Sequence, residues 1–125
     1  KVRDIMHTKN KLPLVRENIK MKNVIIEMTK KSFGHVGVID HNKNIVGMIT
    51  DGDLRRGLNA EFLDKLAKNI MTKRPKMISD ELPLLDAITM MNKNKITCLF
   101  ISKKISPKKP IGIIHVHDCL RFIRN

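Results

Sequence analysis

The sequence has no tryptophan, no tyrosine and only four phenylalanines. Platforms on which nucleobases could stack are therefore nearly absent. Cysteine is almost as scarce: Cys98 and Cys119 form no CxxC pair, which excludes a disulfide scaffold and leaves a zinc or thiol-redox motif without its spacing. Both lie in apolar surroundings, so two buried, reduced thiols are expected, in keeping with a cytoplasmic protein. No apolar run is long enough for a membrane span. No secretory signal opens the chain, which starts at Lys1, is patterned by Val2 and reads as a piece of a longer protein. The chemistry of that longer protein can lie outside the piece.

Acidic residues are also few, 12 against 25 Lys and Arg, for a formal net charge of +13. Such a balance raises nucleic acid as a partner, but Ile, Lys and Asn together supply 45 of the 125 residues, the bias of AT-rich codons. The charge is spread as +5 over residues 1–63 and +8 over 64–125, with no basic tail. It attracts anions in general, and phosphorylated small molecules are anions. At 42% hydrophobic and 30% charged residues the chain is globular in composition, sized for one domain or two small units.

What is present is a repeat. Val2-Arg3-Asp4-Ile5-Met6-His7 returns 65 residues later as Ala67-Lys68-Asn69-Ile70-Met71-Thr72. A proline follows each, Pro13 and Pro75, and then a helical pattern. Ile19, Val24, Ile25 and Met28 mark the first helix; Leu84, Ala87, Ile88 and Met91 mark the second at i, i+3, i+4 and i+7. Asn18 is the expected cap of the first, and Ser79 or Asp80 of the second. The methionines at 21, 28, 90 and 91 fall on the apolar faces, as core or dimer-packing residues. Paired apolar runs come next, Val36–Ile39 with Ile45–Ile49 and Cys98–Ile101 with Ile111–Ile114, read as hairpins. The lysine-rich stretch 103–109 between the last two is expected to be a solvated loop. Closing helices start near Asp51 and Val116. Each repeat is thus β-α-β-β-α, residues 1–63 and 64–125, and about sixty residues bury too little surface to stand comfortably alone. An α+β fold of two repeats packed through their sheets with pseudo-twofold symmetry is expected.

These residues resemble the cystathionine-β-synthase (CBS) domain, which occurs in tandem pairs. The resemblance covers essentially the whole chain. It rests on Asp4-Ile5-Met6 and Asn69-Ile70-Met71, on Gly47-Met48-Ile49-Thr50-Asp51-Gly52-Asp53-Leu54-Arg55-Arg56, and on the matching segment Gly112 to Arg121. A narrower likeness lies in DIMHT from Asp4, TDGDLRR from Thr50 and HxHDxLR from His115, which is similar to the C-terminal CBS pair of the isomerases that make D-arabinose 5-phosphate for Kdo and lipopolysaccharide. The resemblance implies a non-catalytic regulatory piece. Its inter-repeat cleft would take AMP, ATP or a nucleotide sugar such as CMP-Kdo, with no cofactor required. It also implies a homodimer, within a tetrameric parent whose separate sugar-isomerase domain does the aldose–ketose chemistry.

The residues themselves carry two readings. A strand ending near Thr50 and a helix starting just after it offer backbone N–H groups to an anion, and the Thr50 hydroxyl can donate to a phosphate. Asp53, one turn on, can accept from ribose hydroxyls, the role the CBS resemblance assigns it. The structural alternative makes Thr50 or Asp51 a helix cap and Asp53 a first-turn carboxylate that suits the dipole. Arg55 and Arg56 either face phosphates or form a solvated basic face. In the second repeat His115 stands in the place of Thr50, followed by His117 and Asp118. Imidazoles there can bond a hydroxyl or phosphate, and more strongly when protonated. Were the strand to continue, His115 and His117 would share a face and could hold zinc with Asp118, although no further ligand is placed to join them. His7 and Thr72, after the two Ile-Met pairs, are weaker ligand candidates, each expected to line the cleft of its own repeat. No nucleophile–base pair or paired catalytic carboxylates occur. Besides the regulatory reading stand a dimerisation module with vestigial clefts and the CBS pair of another enzyme or transporter.

Overall fold

The computed structural model describes residues 1–124. A 3₁₀ turn at Val2–Asp4 precedes β1 (His7–Thr8), and a second turn precedes β2 (Leu14–Arg16). Helix α1 (Met21–Lys31) leads into β3 (His35–Ile39) and β4 (Ile45–Thr50). Three short helices follow, α2 (Asp51–Gly57), α3 (Ala60–Asp64) and α4 (Ala67–Ile70). The second half repeats the order with β5 (Thr72–Lys73), β6 (Met77–Ser79), α5 (Leu84–Asn94), β7 (Cys98–Ser102), β8 (Gly112–His115) and α6 (Val116–Arg124). The fold is α+β, with two four-stranded sheets ordered β2-β3-β4-β5 and β1-β8-β7-β6.

In each sheet the inner pair is the expected hairpin, β3 with β4 and β7 with β8, both antiparallel. The strand before the long helix joins in parallel, β2 on β3 and β6 on β7. Every residue of β7 is buried, whereas β4 alternates buried and half-buried positions, so Ile45, Gly47 and Ile49 point inward. The periodic apolar residues of the helices close one core in each unit. Met21, Val24 and Met28 pack with Val36, Val38, Ile49 and Phe62. Ala87 and Met91 pack with Leu99, Ile101, Ile114 and Cys119, with Met90 half-buried beside them. The stretch 103–109 is mostly exposed, with Lys104 Nζ 3.4 Å from Glu81.

The helix starts differ from expectation. Asn18 does not cap α1; Lys20 in extended conformation does, and the N–H of Met21 donates across the unit to the Lys65 carbonyl at 2.8 Å. A tertiary backbone bond thus replaces the side-chain cap. Pro83 precedes α5, while Ser79 Oγ accepts from the N–H of Glu81 at 3.2 Å and Asp80 donates its N–H to Ser102. Both long helices end on a left-handed residue, Ser32 and Lys95.

The repeats divide near residue 63 in sequence, but the chain's compact units are cut elsewhere. One runs from Pro13 to Pro75, and the other joins Lys1–Leu12 to the residues from Lys76 onward. The cause is backbone hydrogen bonding. The N–H of Val2 donates to the Leu82 carbonyl at 2.9 Å and that of Arg3 to Asp80 at 3.1 Å, and β1 pairs with β8. In the other unit β5, which opens the second repeat, pairs with β4 of the first. Each repeat lends its first strand to the other's sheet.

Candidate functional site

In the unit 13–75 the end of β4 and the start of α2 form a closed hydrogen-bonded box. The Thr50 N–H donates to Asp53 Oδ2 at 2.9 Å, and the Asp53 N–H donates back to Thr50 Oγ1 at 3.3 Å. This reciprocal cap satisfies two donors at the helix start. The N–H of Asp51 donates to the carbonyl of Gly34 at 3.0 Å, where Gly34 takes a φ of +71°. The backbone N–H groups of Asp51 and Asp53 are therefore already engaged. The side chains at this junction keep capacity of their own. The Thr50 hydroxyl still has its own proton to donate, and the Asp53 carboxylate has acceptor sites beyond the two in use.

Of the two arginines, Arg56 reaches Asp53 Oδ1, while Arg55 lies 3.8 Å from Asp51 and is well exposed. Thr72 sits on β5 directly across from Met48, beside the strand that ends in Thr50. Thr50, Asp53, Arg56 and Thr72 are thus held by β4, α2 and β5 of one unit.

The other unit rebuilds the same box with different side chains. The N–H of His115 donates to Asp118 Oδ2 at 3.0 Å, and Arg121 reaches Asp118 Oδ1 as Arg56 reaches Asp53. Strand β8 stops at His115 and helix starts at Val116, so His115 and His117 do not share a strand face. Their rings stack instead, with centroids 4.7 Å apart, and the His117 N–H donates to His115 Nδ1 at 3.0 Å. Among the described residues no group of three or more His, Cys, Asp or Glu side chains is arranged to hold a metal ion.

His7 was expected beside its own repeat's cleft. It lies elsewhere: Nε2 is 3.0 Å from Asp118 Oδ2, because β1 belongs to the sheet of β8. Cys119, behind Asp118, is fully buried, and burial first, then the neighbouring carboxylate, pushes its thiol up to about 11.

Each of these strands also carries a glycine under a methionine. Met71 lies over Gly47 in β4, and Met6 lies over Gly112 in β8. Gly47 sits inside β4 and Gly112 opens β8, and that was the available sequence signal: a glycine in a strand marks close approach by another segment.

The chain matches the CBS domain over residues 2–60 and again over 67–125, and it belongs to the CBS domain family. Among curated relatives it is 40% identical over 120 residues to the uncharacterized protein RP505 of Rickettsia prowazekii, covering 96% of this chain and 37% of that one. It is 32% identical over 123 residues to the arabinose 5-phosphate isomerase KdsD of Pseudomonas aeruginosa, covering 97% of this chain and again 37% of the other. The chain therefore spans little more than a third of the relatives it matches. Among solved structures the fold is similar to that of CBSX2, crystallised in complex with AMP, at a TM-score of 0.83 and 24% identity over 98% of this chain and 95% of that one.

Proposed function

We propose that this chain is the non-catalytic regulatory part of a sugar-phosphate isomerase of the arabinose 5-phosphate type, serving Kdo and lipopolysaccharide synthesis. It binds an adenine nucleotide, or a nucleotide sugar such as CMP-Kdo, and passes occupancy to the attached catalytic domain. The observation that carries the reading is the Thr50–Asp53 box. It presents a hydroxyl donor and a carboxylate acceptor on a rigid strand–helix junction, suited to a phosphate and a ribose. The likeness to the AMP-bound CBSX2 and the identity to the KdsD isomerases support it. Regulation requires that the ligand bind two states of the parent unequally, since equal affinity shifts nothing. A cytoplasmic setting agrees with two cysteines that both lie buried.

Calorimetric titration with ATP, AMP and CMP-Kdo tests the reading. Saturable binding of one of them is expected, weakened strongly in a Thr50→Ala, Asp53→Ala double variant. Silence with all three overturns it. A second reading, a dimerisation module inside a tetrameric parent, is favoured by Leu120, Phe122 and Ile123, large apolar side chains 43 to 57% exposed on α6. If the double variant leaves ligand response and activity of the full-length protein unaltered while the oligomer persists, the structural role prevails.

A further inference from the structure

Strand β3 opens on His35, of which only 8% is exposed. It stands in register with Thr50 across the β3–β4 ladder, so the two side chains project from the same face of the sheet. That face is turned away from the core, which Val36, Val38 and Ile49 fill from the other side. Gly37, Met48 and Thr72 share it with His35 and Thr50. The ladder also fixes how the pair is spaced. The N–H of Asp51 donates to the Gly34 carbonyl at 3.0 Å, one step further on, so His35 and Thr50 form a non-hydrogen-bonded pair, the type with closer side chains. In such a pair the Thr50 N–H turns away from β3, and there Asp53 Oδ2 accepts it at 2.9 Å. His35 and the Asp53 carboxylate therefore flank Thr50 from opposite sides of β4.

One bond orients the His35 ring. Nδ1 lies 3.1 Å from the carbonyl oxygen of Phe33. A carbonyl only accepts, so Nδ1 carries the proton and the neutral ring keeps its lone pair at Nε2. Nε2 has no partner among the described residues, whereas every buried side-chain nitrogen and oxygen among them has one. Nε2 is therefore the surface atom of an otherwise buried ring, an acceptor on the face that carries the Thr50 hydroxyl. We propose that His35 is a further ligand-binding residue, whose Nε2 accepts from one ribose hydroxyl while the Asp53 carboxylate accepts from the other. This rests on the nucleotide-binding reading above and narrows it to ligands that carry a cis-diol. A lone pair at this position suits a hydroxyl, which donates, and repels a phosphate oxygen, which does not. In the other unit Cys98 stands opposite His115, and a thiol is a weak acceptor, so the diol site belongs to the unit 13–75.

Calorimetric titration of the chain at pH 8.5 with AMP, 2′-deoxy-AMP and 3′-deoxy-AMP tests the inference. In the parent each missing hydroxyl should weaken binding by about three- to tenfold, the range of a single hydrogen bond. In His35→Phe, which keeps a ring but lacks the acceptor, AMP should weaken by a similar factor. One of the deoxy analogues should bind this variant as it binds the parent, because the hydroxyl that His35 serves is already gone. His35→Gln retains an acceptor and should keep most of the AMP affinity. The parent alone supplies a second readout: its His35 imidazole C–H resonances should move with AMP and with one deoxy analogue, and much less with the other. Equal binding of the three ligands by the parent, resonances that AMP leaves unmoved, or an equal loss for all three ligands in His35→Phe overturns the inference. In each of those cases AMP binding that is lost in Thr50→Ala, Asp53→Ala leaves the nucleotide reading standing, whereas no AMP binding by the parent overturns both.

Discussion

Replacing Gly47 by alanine tests the strand exchange that builds the site. A Cβ at Gly47 would lie 2.3 Å from Met71 Sδ, 2.6 Å from its Cγ and 2.8 Å from its Cβ. Those distances are far inside van der Waals contact. The end of the Met71 side chain could swing aside, but its Cβ is fixed to the backbone just before β5. The segment carrying Thr72 must therefore shift away from β4. Overpacking of this kind costs about 1–3 kcal/mol, and contact with a backbone-anchored atom argues for about 2 kcal/mol or more. In a chain of this size that lowers the unfolding midpoint by roughly 8 °C. Circular dichroism is the suitable readout, since the chain has neither Trp nor Tyr. Met71→Ala alone should cost about 1–2 kcal/mol, because the side chain is only half-buried. In the double variant the new methyl fills the space that the thioether leaves, so the two losses should fail to add by about 1 kcal/mol or more. The reasoning is refuted if Gly47→Ala stays within about 0.5 kcal/mol of the parent, or if the two changes simply add.

Three further outcomes follow from the same geometry. Gly112→Ala, whose Cβ would meet Met6 Sδ at 2.4 Å and the His7 carbonyl oxygen at 3.2 Å, should also displace His7 from Asp118; the His7 imidazole resonance should move, and an unchanged resonance contradicts the contact. Asp53→Asn keeps the shape of the α2 cap but weakens its bonds from the Thr50 N–H and Arg56, so a loss of about 1 kcal/mol by denaturant titration is expected, and none at all would mean the box contributes nothing. With its thiol raised to about 11, Cys119 is ionised in only about one molecule in a thousand at pH 8, so the native chain should react far more slowly with a thiol reagent at that site than the urea-unfolded chain.

The elements were legible because their periods are clean. Leu84, Ala87, Ile88 and Met91 announce α5 at helical spacing, and the unbroken apolar run from Cys98 announces a strand buried on both faces. The strand–helix junctions at Thr50 and His115 fell within a residue of their expected places. The cap of α1 was not legible, because the Met21 N–H is satisfied by Lys65, a partner more than forty residues away. The same limit hid the contact of His7 with Asp118. A repeat at a fixed offset shows that two segments are equivalent, but not which copy of the sheet each one joins. The strand glycines Gly47 and Gly112 hinted that another segment comes close. The pairing of Arg56 with Asp53, and the use of the Asp51 and Asp53 N–H groups by Gly34 and Thr50, were equally hidden, because each depends on how the side chains and backbone settle around the junction.

The central claim, that the Thr50–Asp53 box is a nucleotide-binding surface, is tested most directly by titrating the chain with AMP and following its backbone amide resonances. Saturable shifts concentrated at Thr50, Gly52, Asp53 and Thr72, lost in Thr50→Ala, Asp53→Ala, are the predicted result. Shifts confined to another surface, or none up to millimolar AMP, would contradict it.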